Sequence, residues 1–367
     1  MNLLYLSDSY IPSSMANSVH VMKMCNAFAN GGHDITLSCY IESDDQESIF
    51  VAYEASPQIK LFDIGTTGVA GLRRIFRTFV YRKIAASNRR FDLIYSRDIY
   101  SLIGALSSGI PCIFEAHTPP RTRLDHHAFH YVSKHRSFAR LVVITQALKD
   151  AFLEQYDYLT PEQIVVAHDG ADLPNPDVKS ANLGRDNVPQ LGYVGSLKPG
   201  KGAEIVCELA GSLPEYDFHI VGGEVHQVDA LRDAYPHTNL TLHGHVSHAE
   251  VNKYLKALDV ALFPMQSSVI VSGGTDIAKW TSPLKLFEYM AAGKPIVASD
   301  FSVIREILTS ETNALLVPAT DMQQWQLAIQ KLCGSDALSK KLGTQAHHDL
   351  SSRYTWQVRS ANVIQGL

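Results

Sequence analysis

No apolar run in the 367 residues approaches the ~20 that a helix needs to cross a bilayer, so no membrane-spanning helix is expected. The opening Met1–Ser7 reads as a strand rather than a signal peptide. Five cysteines, Cys25, Cys39, Cys112, Cys207 and Cys333, include no Cys-x-x-Cys pair and no metal-ligand spacing. That removes a disulfide framework and leaves reduced, mostly buried thiols in a cytoplasmic protein. No Asp-x-Asp occurs, and no G-x-G-x-x-G follows the first strand of either half, which disfavours an NAD-linked enzyme. At 19% charged and 46% hydrophobic residues the composition is that of a soluble globular chain, long enough for two domains.

Charge is unevenly spread. Residues 1–150 hold 16 Lys+Arg against 13 Asp+Glu, a net of +3, and the remainder holds 16 against 24, a net of −8. Two halves facing different ligands would produce such a split, while no nucleic-acid motif accompanies the basic half and none is expected to bind. Short apolar runs alternate with helical patterns. Strands are expected at Leu3–Leu6, Ile35–Cys39, Ile59–Phe62, Leu93–Tyr95, Cys112–Phe114, Leu141–Ile144 and Ile164–Val166. A helix should start with a cap near Asn17 or Ser18 and stop at Gly31-Gly32. Residues 173–189 lack periodicity and read as a linker between a first domain, 1–172, and a second, 190–350. The second series places strands at Leu191–Val194, Phe218–Val221, Leu240–Leu242, Val260–Phe263 and Ile296–Ala298. Tandem parallel sheets put a ligand cleft at the carboxyl ends of their strands.

The most informative stretch is Ser282-Pro-Leu-Lys-Leu-Phe-Glu-Tyr-Met-Ala-Ala-Gly-Lys-Pro-Ile-Val-Ala-Ser-Asp300. It reads as a turn, a short helix with Pro283 in its first turn, a Gly-Lys-Pro corner and a buried strand. Free amides near Leu284 and the positive end of the helix dipole make an anion site. Lys285 in that turn opposes the dipole, which a nearby anionic ligand would rationalise. An ordinary amphipathic helix accounts for Leu284, Phe287 and Met290 facing a core, but not for the whole string. The segment resembles the donor-binding motif of the retaining family-4 glycosyltransferases, group 1, of GT-B fold. That resemblance implies two Rossmann-like domains with a cleft between them, and the closing 351–367 resembles the helix that crosses back to the first domain. It places Glu288 on the ribose hydroxyls of a nucleotide-sugar. The family's other motif glutamate falls eight residues earlier, at Trp280, with Asp276 as a substitute close by.

Gly192-Tyr-Val-Gly-Ser-Leu-Lys-Pro-Gly-Lys-Gly202 runs a strand into a glycine-rich turn with two lysines, a phosphate-cradle pattern without the Walker GK[ST] ending. The same resemblance makes it the first phosphate loop: Gly195 leads it, Ser196 stands where relatives carry arginine, either Lys198 compensates or one cationic contact is lost, and Lys201 neutralises the donor diphosphate. A solvated turn lysine is the bland alternative. Gly222-Gly223 and His245-Val246 end further strands, where relatives hold the nucleotide base by backbone. His243, His245 and His248 follow no metal spacing and read as surface or loop residues.

In the first half Phe114-Glu-Ala-His117 closes a strand, and the resemblance sets His117 beside the reacting sugar. The loop Ser13–Ser18 offers Ala16, Asn17 and Ser18 to an acceptor; Arg97 either orients that acceptor or forms a structural ion pair. Leu72–Ile84 places apolar residues 72, 75, 76, 79, 80 and 84 on one helical face among five basic residues, with no acid between Asp63 and Asp92. It is either a domain helix with a solvated basic face or a surface, 72–90, for anionic membrane.

The implied reaction is metal-independent transfer from a UDP-sugar, favoured over a GDP-sugar, to a hydroxyl of a glycan or lipid-linked acceptor in bacterial surface-polysaccharide assembly. Configuration is retained, and no cofactor is needed beyond the nucleotide-sugar co-substrate. Lys201, Glu288 and His117 would carry the chemistry. Two alternatives stay open: a sugar-nucleotide 2-epimerase of the same fold, and a non-catalytic nucleotide-sugar-binding subunit.

Overall fold

A computed structural model describes residues 1–13, 15–43, 45–65, 73–85, 91–271 and 274–367. The chain forms two compact units, residues 1–168 with 356–367, and residues 169–355. The first contains β1 (Asn2–Ile11), β2 (Asp34–Ile41), β3 (Lys60–Asp63), β4 (Leu93–Ser96), β5 (Cys112–Ala116), β6 (Phe138–Val143) and β7 (Ile164–Val166). They pair in the order β3-β2-β1-β4-β5-β6-β7, all parallel. The second contains β8 (Gln190–Val194), β9 (Asp217–Val221), β10 (Leu240–Gly244), β11 (Val260–Phe263), the hairpin β12 (Ile270–Val271) and β13 (Thr275–Asp276), then β14 (Ile296–Ser299) and β15 (Leu315–Val317). Its main sheet runs β10-β9-β8-β11-β14-β15.

Both orders reverse direction next to the first strand of the unit, between β1 and β4 and between β8 and β11. In a doubly wound sheet that reversal opens a crevice at the carboxyl edge, where ligands bind. β4, β8, β11 and β14 are buried along their whole length, as strands covered by helices on both faces must be. Side-chain caps fix where several helices begin: Asp98 accepts from the Ser101 amide, and Thr122 and Asp125 form a capping box.

Four local expectations need correction. The first helix, Ala16–Asn30, has Met15 at its cap, so Asn17 and Ser18 lie inside it; Asn17 Nδ2 donates to Ser9 Oγ at 2.7 Å and Ser18 Oγ to the Tyr10 carbonyl at 3.0 Å. The final helix begins at Trp356, not 351, because Leu350–Tyr354 prolongs the preceding Asp336–Asp349 helix as a π turn, with Tyr354 packed on Phe287. Pro283 is the cap of the Leu284–Ala291 helix rather than part of its first turn.

The fourth correction concerns the basic helix, Arg73–Ala85; Leu72 and 86–90 of the expected segment lie outside the described residues. Ile75 and Phe79 are 67% and 55% exposed, while Arg77 and Tyr81 are buried. Ile84 is buried as expected and Phe76 and Val80 are half-buried, but two acids and a carbonyl draw Arg77 and Tyr81 inward. Arg77 Nη1 meets Asp8 Oδ2 at 3.1 Å, its Nε lies 3.5 Å from Asp98 Oδ2, and the Tyr81 hydroxyl donates to the Ser7 carbonyl at 2.9 Å.

Candidate functional site

In the second unit, the Lys201 loop leaves β8 and is clamped by its glycines. Gly200 and Gly202 have φ of +86° and +84°, and a Cβ on either would lie 1.9 Å from the carbonyl oxygens of Ser268 and Pro264. Only glycine permits both the left-handed backbone and that approach. The loops after β8 and β11, the two strands that flank the reversal, therefore pack directly on each other. Gly222 does the same for the end of β9, since its Cβ would sit 2.0 Å from the Gly195 carbonyl oxygen. A Gly222 N–H···O=C Gly244 bond of 2.7 Å joins the end of β10, where His245 is exposed and Val246 half-buried.

The Leu284–Ala291 helix is pinned to the same edge by a residue that periodicity assigned only to a helix. The buried Tyr289 hydroxyl accepts from the Val194 amide at 2.7 Å and donates to the Val194 carbonyl at 3.1 Å, one residue before Gly195. The first-turn amides of Leu284 and Lys285 have no intrahelical acceptor, and Pro283 offers no side-chain cap.

Lys201 is half-buried, and burial, with a smaller contribution from Lys198, lowers its pKa. Among the described residues no carboxylate or carbonyl pairs with its ammonium. Lys198 and Ser196 are exposed. Lys285 and Glu288, expected as separate ligands, instead pair with each other across one helical turn, Nζ to Oε2 at 2.8 Å. Lys285 is thereby largely neutralised, and Lys201 is left as the principal cation. Ser282 is buried and its hydroxyl accepts from the Asp169 amide at 2.8 Å. Asp276 is exposed, and its Oδ1 accepts from the Val269 and Ala278 amides, both at 2.9 Å; these bonds lower its pKa. His243 is not a surface residue. Its Nε2 lies 3.2 Å from Nδ1 of the buried His219, whose pKa burial lowers to about 4.

In the first unit the organising residue is one that sequence reasoning passed over, Glu115. It is fully buried at the end of β5, and Arg359 of the terminal helix grips both its oxygens, Nη2–Oε1 at 3.0 Å and Nη1–Oε2 at 3.2 Å. Tyr95 donates to Oε2, while His117 Nε2 at 2.5 Å and His20 Nε2 at 3.0 Å face Oε1. Burial by itself would raise the Glu115 pKa; Arg359, His20 and the His117 bond outweigh it and hold the carboxyl well below the usual range. His20, Glu115 and His117 bring ligand atoms within 4.8 Å of one another, but the guanidinium on both carboxylate oxygens repels a metal cation there.

His117, Arg97 and Asn17 line one open hollow of ≈190 Å³ beside Asp8 and Thr118. Ala16 is exposed and does not line it, and the Ser18 hydroxyl is committed to Tyr10. Arg97 Nε lies 4.0 Å from Glu115 Oε1, a long ion pair.

Comparison with known proteins defines the class, then the family. Over essentially whole chains the structure matches Anabaena HepE in complex with UDP, with a TM-score of 0.73, 15% identity and coverage of 99% of this chain and 98% of that one. Sucrose-phosphate synthase from Thermosynechococcus elongatus matches with a TM-score of 0.73, 16% identity and coverage of 100% and 98%. The architecture is GT-B, with two Rossmann-like units. The family model described as Glycosyltransferase Family 4 matches residues 18–174, and that described as Glycosyl transferases group 1 matches residues 188–335. The chain belongs to this family. Bacillus subtilis TuaH, named for teichuronic acid biosynthesis, is 29% identical over 34% of this chain and 30% of its own. The D-inositol 3-phosphate glycosyltransferase of Corynebacterium kroppenstedtii is 24% identical over 59% and 50%. The matches thus span half or less of these relatives' own lengths.

Proposed function

We propose that the protein transfers a sugar from a UDP-sugar to a hydroxyl acceptor, with retention at the anomeric carbon and in the assembly of a cell-surface polysaccharide. One observation carries the reading: a half-buried lysine without a counter-ion among the described residues, held by two glycines after β8, the strand to which Tyr289 ties the Leu284–Ala291 helix. A diphosphate supplies the missing charge. As the bond from the anomeric carbon to the diphosphate oxygen breaks, negative charge grows on the leaving group, and Lys201 with the first-turn amides of Leu284 and Lys285 stabilises it. Glu288 keeps one carboxylate oxygen for the ribose while Lys285 orients the other. Gly195, Gly222, Gly223 and the His245-Val246 backbone are assigned to the nucleotide, and His117 to the transferred sugar. Ser196 and Lys198 form the exposed rim of the phosphate loop. HepE complexes with UDP and UDP-glucose favour uracil, and TuaH's name favours polysaccharide assembly. No metal is assigned a role, because lysine and amides can carry the leaving charge.

For an acceptor held in lipid, the Arg73–Ala85 helix is the docking surface: Ile75 and Phe79 stand exposed beside exposed Arg82 and Lys83. The whole functional reading is tested by incubating the protein with UDP- and GDP-sugars and a panel of acceptors. Acceptor-dependent release of UDP with α-product from α-donor is expected. Exchange at C2 without transfer, or nucleotide affinity without turnover, would replace it with the epimerase or the binding-subunit reading.

A further inference from the structure

We propose that the hollow at the carboxyl edge of β4 and β5 takes an acceptor bearing an anionic group, a phosphate or a carboxylate, and that Arg97 selects it. The inference rests on the transfer reading above and names its acceptor class. Arg97 is 15% exposed, and its Nη1 is sealed from solvent and donates to nothing among the described residues. Its nearest carboxylate, Glu115, is already shared by Arg359, Tyr95, His20 and His117. The other acids on the walls are committed as well. Asp98 accepts from the Ser101 amide and hydroxyl and faces Arg77, Asp8 pairs with Arg77, and Asp125 takes Thr122 and the Tyr100 hydroxyl. One buried carboxylate therefore answers several cationic or donor groups, and Arg97 is the one left over.

Arg97, Phe114 and Thr118 are shared by two adjoining hollows, the ≈190 Å³ one beside His117 and another of ≈270 Å³. The second is lined by Ile99, Pro119, Pro120 and Phe129 together with Asp98, Asp125 and a second cation, Arg121. A guanidinium N–H sealed from water without an acceptor is costly, and the planar fork of the group matches two oxygens of a carboxylate or phosphate. A neutral hydroxyl satisfies one N–H and leaves the charge unmet. The apolar wall suits a linker or ring face next to the anion, and His117 borders the hydroxyl end of the same space.

The test is calorimetric titration of the full chain, first saturated with UDP so that added anions cannot occupy the Lys201 loop. That UDP titration reads the transfer proposal separately: no UDP binding overturns it whatever the second step gives. The probes are glycerol 3-phosphate and glucuronate against neutral glycerol and glucose, with dihexanoyl phosphatidic acid as the lipid-borne phosphate. Anionic probes should bind at least tenfold more tightly than their neutral counterparts. That preference should fall at least tenfold in Arg97→Gln, with Arg97→Lys intermediate. A stronger response to the lipid than to glycerol 3-phosphate assigns a lipid-linked source, and the reverse a soluble one. Equal binding of neutral and anionic probes by the unsubstituted protein, a comparison that needs no variant, overturns the proposal. So does a preference that survives Arg97→Gln.

Discussion

Each unit keeps a withdrawn cation at the carboxyl edge of its sheet, and the two are handled in opposite ways. Arg359, 3% exposed, is saturated by both oxygens of Glu115, the sulfur of Met24 and the carbonyls of Ala167 and His168. Lys201 has no partner among the described residues, and its pKa is lowered by burial. A saturated ion pair holds a fold together and has nothing left for a ligand, whereas an unsatisfied cation weakens the free protein and gains when an anion arrives. Removing each should therefore damage different properties.

The larger effect is expected at Lys201. A cation ~4 Å from a phosphate oxygen is worth about 4 kcal/mol at an effective dielectric near 20. If that attraction is felt mainly in the transition state, Lys201→Ala loses turnover of a UDP-sugar by about a thousandfold. Its melting temperature should stay level or rise, because the substitution removes a half-buried charge that has no partner among the described residues. Turnover within tenfold of the unsubstituted protein would show that Lys201 is merely a solvated turn lysine.

Glu115→Gln reverses the pattern. The amide keeps the shape but strips Arg359 of its counter-charge, so unfolding free energy should drop by about 3 kcal/mol in a denaturant titration. The pH dependence has a definite sign. Glu115 titrates well below 4.5 when folded, so the unfolded chain binds more protons as pH falls below 4.5. Its contribution is complete above that pH and is lost on the way down to the folded value. The Gln variant should therefore have a flatter acid limb. A variant as stable as its parent would mean that Arg359 is held by the Ala167 and His168 carbonyls alone.

The same contrast explains what could be read from sequence. The long strands were legible because parallel strands covered on both faces are apolar runs bounded by turns. β12 and β13, at two residues each, are too short to leave such a run. The Lys201 loop was legible because Gly200 and Gly202 mark its backbone in sequence. Glu115, two residues before His117, carries no signal of its own in the sequence, because Arg359, which gives it meaning, lies 244 residues away. Tyr289 looked like one more apolar helix position, since nothing in the 282–300 pattern reveals that its hydroxyl bonds to β8. Periodicity puts Arg77 on a solvated face for a related reason: it is blind to Asp8 and Asp98 on other elements.

The exposed part of that helix supplies the smallest expected effect and the last test of how the two units divide their labour. If the first unit meets a lipid-held acceptor while the second holds the nucleotide, affinity for anionic membrane belongs to Ile75, Phe79, Arg82 and Lys83. Burying one large apolar side chain fully is worth about 1.5–3 kcal/mol, and each cation near an anionic leaflet about 1 kcal/mol. Side chains that reach only the headgroup boundary gain a fraction of this. Ile75→Ser with Phe79→Ser should then weaken sedimentation with phosphatidylserine vesicles by about tenfold and leave it salt-sensitive. Arg82→Gln with Lys83→Gln should weaken it less and remove much of that sensitivity. Neither pair should alter UDP affinity, because the Lys201 loop belongs to the other unit. Vesicle binding that ignores both double substitutions would make Ile75 and Phe79 ordinary exposed apolar residues, of the kind every soluble surface carries.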